Sequence, residues 1–331
     1  FENSVASTCG KELLGTAFNS ATSALHAACK SLELGKGDIL WTVPNSFVAS
    51  ANCAIYCGAE VDFVDIDTNS WNMCPKHLKQ KLEEADKRGK LPKIIVPVHF
   101  AGLSADMLEI QSLAMHYNIK IIEDASHALG AHYDGCLVGC CQLSDITIFS
   151  FHPVKMITTG EGGMAITKNK NLDQKMKIFR NHGITRNREK FKNKDSGPWS
   201  YQQIDLGYNY RMTDIAAALG LSQLKSLEYF VSQRRKLASN YLNRLKKLPY
   251  SNQQTGAKHD SSWHLFVVCL PNTQKNRLNR ETIYNFMRDR GIGVNVHYEP
   301  IHLQPFYKRN GFKDDMFPIA ENYADRCLSI P

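Results

Sequence analysis

Apolar segments typical of buried strands alternate with helix-like segments over residues 21–167, and this alternation constrains the fold more than any other feature of the chain. The apolar spacing predicts helices over 21–34, about 47–56, 75–88 and 106–117. Strands are predicted over 38–43, 60–64, 93–98, 118–122, 145–149 and 164–167. Alternating strands and helices form a mostly parallel sheet that helices cover on both faces. The sequence therefore predicts one large α/β domain.

The pattern changes after this region. Residues 180–203 are rich in arginine and lysine and poor in apolar side chains, which fits either a solvated surface loop or a mobile lid near an anionic substrate. A long helical segment over 213–248 follows, then a strand over 263–270, a helix over 280–290 and a strand over 292–296. We therefore predict a large domain over residues 1–225 and a smaller α+β domain over residues 226–331.

The composition is typical of a globular enzyme with neither a membrane nor a nucleic-acid partner. Of the 331 residues, 43% are hydrophobic and 22% charged, and no apolar run approaches the roughly 20 residues that span a bilayer. The net charge of +8 suits an anionic substrate, but no basic stripe interleaved with aromatic residues points to nucleic acid. The chain begins at Phe1 rather than methionine and stops within an apolar run, so we expect that both ends are truncated.

The ten cysteines are scattered, and we expect free thiols in a cytoplasmic protein. Cys136, Cys140 and Cys141 lie close together in the sequence, but no Cys-x-x-Cys pair or suitably spaced histidine accompanies them. The spacing therefore predicts no zinc site. Asp65 and Asp67 are likewise more typical of a turn than of a metal site.

Lys155 lies in a setting that points to a particular cofactor. It follows the predicted strand over 145–149, within the run Ser150-Phe-His-Pro-Val-Lys-Met-Ile-Thr-Thr-Gly-Glu-Gly-Gly163, and Asp124 follows the strand over 118–122. Pyridoxal phosphate needs a lysine that forms a Schiff base with it and a carboxylate that keeps its pyridine nitrogen protonated. A solvated loop lysine is the plainer interpretation, but it leaves the flanking apolar and glycine-rich segments unexplained. We therefore predict a pyridoxal phosphate site at Lys155 and Asp124.

Other candidate residues follow predicted strand ends, where the ligands of open α/β sheets bind. Phe47 and Ser150 each come just after a strand, and Ser20-Ala-Thr-Ser23 opens the first helix with hydroxyls, backbone N–H groups and the positive end of the helix dipole. Taken singly, each of these residues also has a structural interpretation. Phe47 fits a core ring, Ser150 a polar strand end, Ser20-Ala-Thr-Ser23 a helix cap and His127 a hydrogen-bonded structural histidine. Their convergence on one edge of the sheet favours a ligand that carries a phosphate.

Motifs along most of the chain resemble the DegT/DnrJ/StrS family of nucleotide-sugar aminotransferases and occur in the family's order. They are Asn19-Ser-Ala-Thr22, Val96-Pro-Val-His-Phe-Ala-Gly102, Glu123-Asp-Ala-Ser-His-Ala128, the lysine run, Arg180-Asn-His-Gly183, Leu206-Gly-Tyr-Asn-Tyr-Arg-Met-Thr-Asp214 and His297-Tyr-Glu-Pro-Ile-His-Leu-Gln-Pro305. The resemblance implies an aspartate-aminotransferase type of fold, pyridoxal 5'-phosphate as cofactor, and a homodimer with active sites at the subunit interface. The lysine run and His302-Leu-Gln-Pro305 are similar to the branch of the family that serves pseudaminic acid biosynthesis.

The resemblance also implies an activity, the transfer of an amino group from an amino donor, L-glutamate, to C4 of a UDP-linked 4-keto-6-deoxy-N-acetyl-hexose for cell-surface sugar biosynthesis. GDP- or dTDP-linked 4-keto sugars, or a free cyclic ketose, are alternative substrates. Relatives that remove a hydroxyl group instead carry histidine at the position of Lys155, which argues against dehydration here. A non-catalytic member that binds cofactor or sugar for regulation is a further alternative, and the set Asp124, His127, Ser150 and Lys155 argues against it.

Residue roles follow from the same resemblance. Lys155 matches the catalytic lysine, Asp124 the partner of the pyridine nitrogen and His127 a support at the ring hydroxyl. Phe47 matches an aromatic residue that stacks on the cofactor ring. The residues that match the phosphate site are Ala21, Thr22, Ser150 and either Asn209 or Arg211 of the partner subunit. Tyr298 and His302 match the segment that faces the sugar nucleotide.

Overall fold

The structure, a computed structural model, describes residues 1–193, 197–271 and 280–331. The α-helices of these residues are α1 (Glu2–Cys9), α2 (Ala21–Ser31), α3 (Ala49–Tyr56), α4 (Pro75–Lys87), α5 (Met107–His116), α6 (Lys170–Phe179), α7 (Asp214–Leu224), α8 (Leu227–Leu245), α9 (Arg280–Arg288), α10 (Pro305–Arg309) and α11 (Pro318–Arg326). The strands are β1 (Leu14–Phe18), β2 (Ile39–Thr42), β3 (Glu60–Phe63), β4 (Ile94–Ile95), β5 (Lys120–Asp124), β6 (His132–Tyr133), β7 (Cys136–Leu137), β8 (Ile146–Ser150), β9 (Gly163–Thr167), β10 (Ile184–Thr185), β11 (Gln202–Gln203), β12 (Ser251–Asn252), β13 (His259–Asp260), β14 (Phe266–Cys269) and β15 (Cys327–Ile330). Within these ranges, no helix combines the length and the apolar character that crossing a membrane requires.

A seven-stranded sheet with the order β1-β9-β8-β5-β4-β2-β3 dominates the fold. Strands β8, β5, β4, β2 and β3 run parallel to one another, whereas β9 runs antiparallel to both of its neighbours, β8 and β1. The predicted mostly parallel α/β sheet is thus confirmed. The sequence pattern did not predict β1, because its run Leu-Gly-Thr-Ala-Phe is short and contains Gly15. A Cβ atom on Gly15 would lie 2.8 Å from the carbonyl oxygen of Glu2, so the close packing of α1 requires glycine there.

Consecutive residues of the parallel strands are buried on opposite faces of this sheet. Leu40 and Ile94 pack with helices α2, α3 and α6, whereas their neighbours Trp41 and Ile95 pack with α4, α5 and the C-terminal segments. Burial of each Leu or Ile side chain contributes roughly 1.5–3 kcal/mol. Because both faces are covered, the strands carry continuous apolar runs rather than an alternation of polar and apolar residues.

Local sequence sets the helix ends that matter for the site. Helix α2 begins after Ser20, whose hydroxyl accepts from the backbone N–H of Ser23, while the Ser23 hydroxyl accepts from the N–H of Ser20. The Thr213 hydroxyl caps α7 by accepting from the N–H of Ala216. The single helix predicted over 213–248 is divided into α7 and α8 by a short turn at residues 225–226.

A smaller antiparallel sheet has the order β12-β14-β15. It packs with α8 and α9 around an apolar cluster that includes Phe266 and Leu328. The predicted strand over 292–296 is wrong, because β15 occupies the place beside β14 and Asn295 forms only an isolated bridge with Ser329. The predicted boundary between two domains stays a prediction.

The basic segment over 180–203 begins at a fixed point. Arg180 donates to the carbonyl oxygen of Ala17 and to the Glu2 carboxylate, which ties the start of the segment to β1 and α1. Strands β10 and β11 of the segment pair with each other, and Lys194 lies outside the described residues. The choice between a solvated loop and a lid stays open.

Candidate active site

A cavity of about 250 Å³ opens at the sheet edge where β1, β2, β5 and β8 end. Its walls come from the first turns of α2 and α3 and from segments that follow these strands. The predicted site residues that it brings together are Ala21, Thr22, Phe47, Asp124, His127, Ser150, Lys155 and Tyr298. Residues distant in sequence thus share one cavity at the carboxyl ends of the strands, where ligands of open α/β sheets bind.

Lys155 follows β8 in a turn that its backbone N–H closes on the carbonyl oxygen of His152, at 2.9 Å. Burial lowers the pKa of the Lys155 amine from 10.5 to about 8, because the charged form loses hydration, and the Asp124 carboxylate offsets only part of this effect. The side chain therefore offers an amine that loses its proton close to neutral pH. Such an amine is suited to attack a carbonyl carbon and to move protons.

Asp124, the last residue of β5, is buried and accepts three hydrogen bonds. Its Oδ2 accepts from the Ser50 hydroxyl at 2.6 Å. Its Oδ1 accepts from the Ser126 hydroxyl at 2.6 Å and from the Ser126 backbone N–H at 3.1 Å. The carboxylate also interacts electrostatically with Lys155 and Tyr298. It is therefore a fixed acceptor within reach of both of these cavity residues.

The imidazole of His127 has a defined tautomer. The backbone N–H of Ala101 donates to Nδ1 at 3.3 Å, so the proton of the neutral ring is on Nε2, which lies 3.3 Å from the Tyr298 hydroxyl oxygen. Burial lowers the pKa of His127 well below 6.5, and the charge of Lys155 lowers it further, so the ring is neutral. His127 is therefore a hydrogen-bond donor of fixed orientation at the inner wall.

Two more histidines, which the sequence did not predict as site residues, lie beside this wall. The ring centroid of His264 lies 4.4 Å from that of His127, and His297 directly precedes Tyr298. Burial and the charge of Lys155 lower the pKa of both rings, that of His297 to about 4. His297 opens a motif quoted above but was given no role, and no sequence signal marked His264, because the packing of segments distant in the chain brings both rings to this wall. As neutral rings, they add no positive charge beside the lysine.

The first turn of α2 forms the end of the cavity that suits a phosphate. Ala21 and Thr22 line the cavity at the positive end of the helix dipole, and Ser20 and Ser150 add hydroxyl groups. Gly163, the first residue of β9, passes directly beside this turn. Helix N-termini with adjacent hydroxyls bind anions, so this end of the cavity fits a phosphate group.

The residues of the cavity fit pyridoxal 5'-phosphate. Lys155 would hold its aldehyde carbon and Asp124 its pyridine nitrogen, because these groups need an amine and a carboxylate. The Tyr298 hydroxyl, which accepts from His127 Nε2, offers a donor for the ring oxygen. Phe47, whose surface is 59% exposed at the cavity mouth, has a free ring face for stacking.

Three predicted site residues lie outside the cavity of this chain. His302 is fully buried, and its Nε2 lies 2.9 Å from Oε1 of Glu321. Its position gives no support to the predicted contact with a sugar, because the protein encloses the ring. Asn209 and Arg211 are exposed on the segment before α7, where Arg211 donates to Asn181 at 2.7 Å. Their predicted reach into the partner subunit stays a prediction.

Several cavity residues were not predicted: Leu25, Ser46, Ala49, Val98, Ser126, His152, Val154 and Glu161. Ser46 and Ser126 lie within a few residues of a strand end, so the strand-end rule could have found them. His152 and Glu161 flank Lys155 in sequence, and their side chains approach each other to 3.7 Å between Nε2 and Oε1. The segment around Lys155 thus lines the cavity with several side chains in addition to the lysine.

Comparison with known proteins agrees with this geometry. The chain matches the DegT/DnrJ/EryC1/StrS aminotransferase family over residues 1–331. It is 40% identical over 314 residues to the UDP-4-amino-4,6-dideoxy-N-acetyl-beta-L-altrosamine transaminase of Campylobacter jejuni subsp. jejuni serotype O:23/36 (strain 81-176). That alignment covers 95% of this chain and 78% of the relative.

Two solved structures have the same fold. PseC from Helicobacter pylori, an aminotransferase involved in the biosynthesis of pseudoaminic acid, is 30% identical with a TM-score of 0.88, over 100% of this chain and 84% of the other. The putative sugar aminotransferase Spr1654 from Streptococcus pneumoniae, in its PLP-form, is 27% identical with a TM-score of 0.86, over 100% of this chain and 84% of the other.

The fold, the lysine and carboxylate in one cavity, and these similarities define a sugar aminotransferase that depends on pyridoxal phosphate. The chain belongs to the DegT/DnrJ/EryC1/StrS aminotransferase family. The family, the aspartate-aminotransferase type of fold and the cofactor, all predicted from the sequence, are therefore confirmed.

Proposed function

We propose that this enzyme transfers an amino group from L-glutamate to C4 of a UDP-linked 4-keto-6-deoxy-N-acetyl-hexose, in the cytoplasm and for cell-surface sugar biosynthesis. The observation that carries amino transfer is the Lys155 amine, whose pKa burial lowers to about 8, in a cavity shared with Asp124. The sugar is proposed from the 40% identity to a UDP-4-amino-4,6-dideoxy-N-acetyl-beta-L-altrosamine transaminase. The donor is proposed from the family resemblance of the sequence.

The residues that line the cavity each have a role in the proposed reaction. When bound, pyridoxal phosphate supplies an electron sink for the carbon that carries the amino group. Lys155 holds the cofactor covalently at rest and, once released, moves a proton from one carbon atom to the next. Asp124 accepts a hydrogen bond from the pyridine nitrogen, and His127 and Tyr298 orient the ring from the inner wall.

The first test removes the lysine. Lys155→Ala should abolish covalent attachment of the cofactor and slow amino transfer by about 10²–10⁴-fold, because no other group can take both roles. Mass spectrometry after borohydride reduction measures the attachment. Lys168→Ala, at an exposed lysine after β9, is the matched control and should change neither quantity. Cofactor that stays attached in Lys155→Ala would contradict the role of Lys155.

The second test identifies the substrate and the reaction. UDP-, GDP- and dTDP-linked 4-keto sugars are assayed with ¹⁵N-labelled glutamate under the same conditions. We expect the highest kcat/KM with the UDP-linked N-acetylated sugar and labelled nitrogen at C4 of its product. A higher value for a GDP- or dTDP-sugar, or reaction of a free cyclic ketose alone, would replace the proposed substrate. A deoxygenated product without nitrogen would contradict amino transfer to these sugars.

We also propose a homodimer with shared active sites. Ile215 of α7 is 84% exposed, and Leu219 and Leu221 of the same helix are exposed as well. Asn209 and Arg211 lie on the segment that leads into this helix and do not line the cavity of their own chain. A second copy that covers α7 would bury these apolar side chains and bring one of the two polar residues to the other cavity.

Mixed dimers test the shared sites. Lys155→Ala and Arg211→Ala chains should each be poorly active alone, because each lacks one component of every site. In a one-to-one mixture, half of the dimers are hybrids with one complete site, so roughly a quarter of wild-type activity should return. A parallel mixture with Asn209→Ala decides which of the two residues reaches across. Hybrids that form without any gain in activity would contradict the shared site.

A further inference from the structure

A line of hydroxyl groups connects the cavity to the carboxylate of Asp124. The Ser46 hydroxyl oxygen lies 2.8 Å from that of Ser50, which lies 2.6 Å from Oδ2 of Asp124. Ser46 lines the cavity after β2, and Ser50 belongs to the first turn of α3. Ser50 has no exposed surface and Ser46 is 4% exposed, so solvent water does not compete for these bonds.

Proton counting sets the direction of both hydrogen bonds. A serine hydroxyl has one proton to donate, and a carboxylate oxygen only accepts. Ser50 therefore donates to Asp124, and Ser46 donates to Ser50. A hydroxyl that accepts a bond donates a stronger one, so Ser46 strengthens the bond that Ser50 makes to the carboxylate.

The hydrogen bond from Ser50 also fixes the orientation of the Asp124 carboxylate. Ser126, which holds Oδ1, comes from the loop directly after Asp124, whereas Ser50, which holds Oδ2, comes from a helix after a different strand. Because the two anchors belong to different segments, the carboxylate plane cannot rotate without breaking one of these bonds. Ser50 is the anchor that does not depend on the local loop.

The surroundings of Asp124 contain few groups that titrate. Lys155 and Tyr298 face it, with the pKa of Lys155 lowered to about 8 and that of Tyr298 raised, both with burial as the largest cause. On its own strand, Glu123 points to the other face of the sheet, where its carboxylate lies 2.6 Å from His99 Nε2. His127, His264 and His297 lie at the same wall of the cavity, and burial lowers the pKa of each ring.

We infer that Ser50 is a positioning residue for amino transfer, which keeps the Asp124 carboxylate turned toward the cavity, and that Ser46 strengthens the hydrogen bond from Ser50. This inference rests on the proposed role of Asp124 beside the pyridine nitrogen. Without the Ser50 hydroxyl, only Ser126 holds the carboxylate, which can then turn away from the pyridine nitrogen.

The experiment uses the cofactor-loaded enzyme and three alanine variants. They are Ser50→Ala, Ser46→Ala and, as matched control, Ser31→Ala, at a buried serine whose hydroxyl donates to the carbonyl oxygen of Ala28. The ¹⁵N chemical shift of bound ¹⁵N-labelled pyridoxal phosphate reports protonation of the pyridine nitrogen. The value of kcat/KM reports amino transfer, and Tm reports folding.

In Ser50→Ala, we expect the ¹⁵N signal to move toward the value of neutral pyridine and kcat/KM to fall about tenfold, because the carboxylate loses the donor that holds its Oδ2. Ser46→Ala should move both in the same direction but by less, since the Ser50 bond remains. Ser31→Ala should move neither, even where its Tm falls.

A Ser50→Ala enzyme with the ¹⁵N signal and kcat/KM of the wild type overturns the inference, whatever its Tm. If Ser50→Ala does not fold, Ser46→Ala decides, since a shift in the expected direction supports the inference and no shift overturns it. Asp124→Asn tests the proposed role of Asp124 separately from the inferred role of Ser50. An unchanged ¹⁵N signal in Asp124→Asn means that the role of Asp124 is wrong. A changed signal there, with none in Ser50→Ala, means that only the role of Ser50 is wrong.

Discussion

The amide nitrogen of Ala21 lies so close to Gly163 that a Cβ atom on this glycine would stand 2.4 Å from it. Gly163 begins β9 and Ala21 begins α2, so the missing side chain allows the strand to pass against the first turn of the helix. That turn is the proposed phosphate site. The glycine at the end of the lysine segment is therefore required for close approach of two backbones.

Gly163→Ala should weaken cofactor binding by about tenfold and lower the free energy of unfolding by about 1–3 kcal/mol, because the added methyl group must displace the first turn of α2. Gly35→Ala is the matched control, since nothing lies within 4 Å of the Cβ atom that it would add. Equilibrium dialysis and thermal unfolding measure the two effects. If Gly163→Ala binds the cofactor with the Kd of the wild type, the first turn of α2 does not bind the phosphate.

Tyr298→Phe removes a hydroxyl group but keeps a ring whose centroid lies 6.5 Å from that of Phe47. The cavity loses a donor and His127 loses the acceptor of its Nε2 proton, so kcat/KM should fall about tenfold with little change in Tm. Tyr307→Phe, at a buried hydroxyl that donates to Asn52 at 2.6 Å outside the cavity, should lower Tm and leave kcat/KM unchanged. The opposite pattern in the two variants would refute the role given to Tyr298.

The lowered pKa of Lys155 makes a prediction for the stability of the cofactor-free protein. The unfolded chain keeps the lysine proton up to about pH 10.5, whereas the folded chain loses it near 8, so the charged lysine destabilises the fold below pH 8. Lys155→Met should therefore gain roughly 2–3 kcal/mol from removal of the charge at pH 7. This gain should disappear as the pH rises from about 8 to about 10.5.

Chemical unfolding of wild type and Lys155→Met across this pH range measures the gain. Lys168→Met, at an exposed lysine, is the control and should show no such dependence on pH. A stability difference between Lys155→Met and wild type that stays constant from pH 7 to pH 10.5 would mean that the folded protein does not depress this pKa.

His302→Ala should act on stability rather than on substrate binding. The ring is fully buried, packs against Phe63 and Phe317, and holds Glu321. Its loss leaves a cavity and removes one of the hydrogen bonds to Glu321, which should cost about 2–4 kcal/mol, while the KM of the folded enzyme for the nucleotide sugar stays unchanged. A raised KM with an unchanged Tm would restore His302 as a substrate contact.

Most of the cavity could be predicted from the sequence, because parallel strands carry the residues that follow them to one edge of the sheet. Asp124 and Ser150 lie in the cavity for this reason alone. His264 and His297 follow no such rule, since tertiary packing brings them to the lysine. His302 was predicted from the resemblance of its segment to the family's sugar-nucleotide segment, but it lies in a short 3₁₀ turn, Ile301–Leu303, and is fully buried.

The limits of the fold prediction have a similar cause. An apolar run indicates that a segment is buried but not which strand it pairs with. The segment over 292–296 is rich in apolar residues, yet β15 pairs with β14 and only Asn295 of this segment forms a bridge, to Ser329. Strand β1 was missed for the opposite reason, because its glycine weakens the pattern although the pairing with β9 is complete from Leu14 to Phe18.

The pairing of β1 with β9 joins Leu14 to Thr167 and Phe18 to Gly163. It therefore connects the phosphate-binding turn of α2, near the start of the chain, to the segment that carries Lys155. Contacts between such distant positions form late in folding, because closing a long loop costs entropy before the contact rewards it. A growing chain on the ribosome should thus have no cofactor site until β9, about halfway along these 331 residues, has emerged.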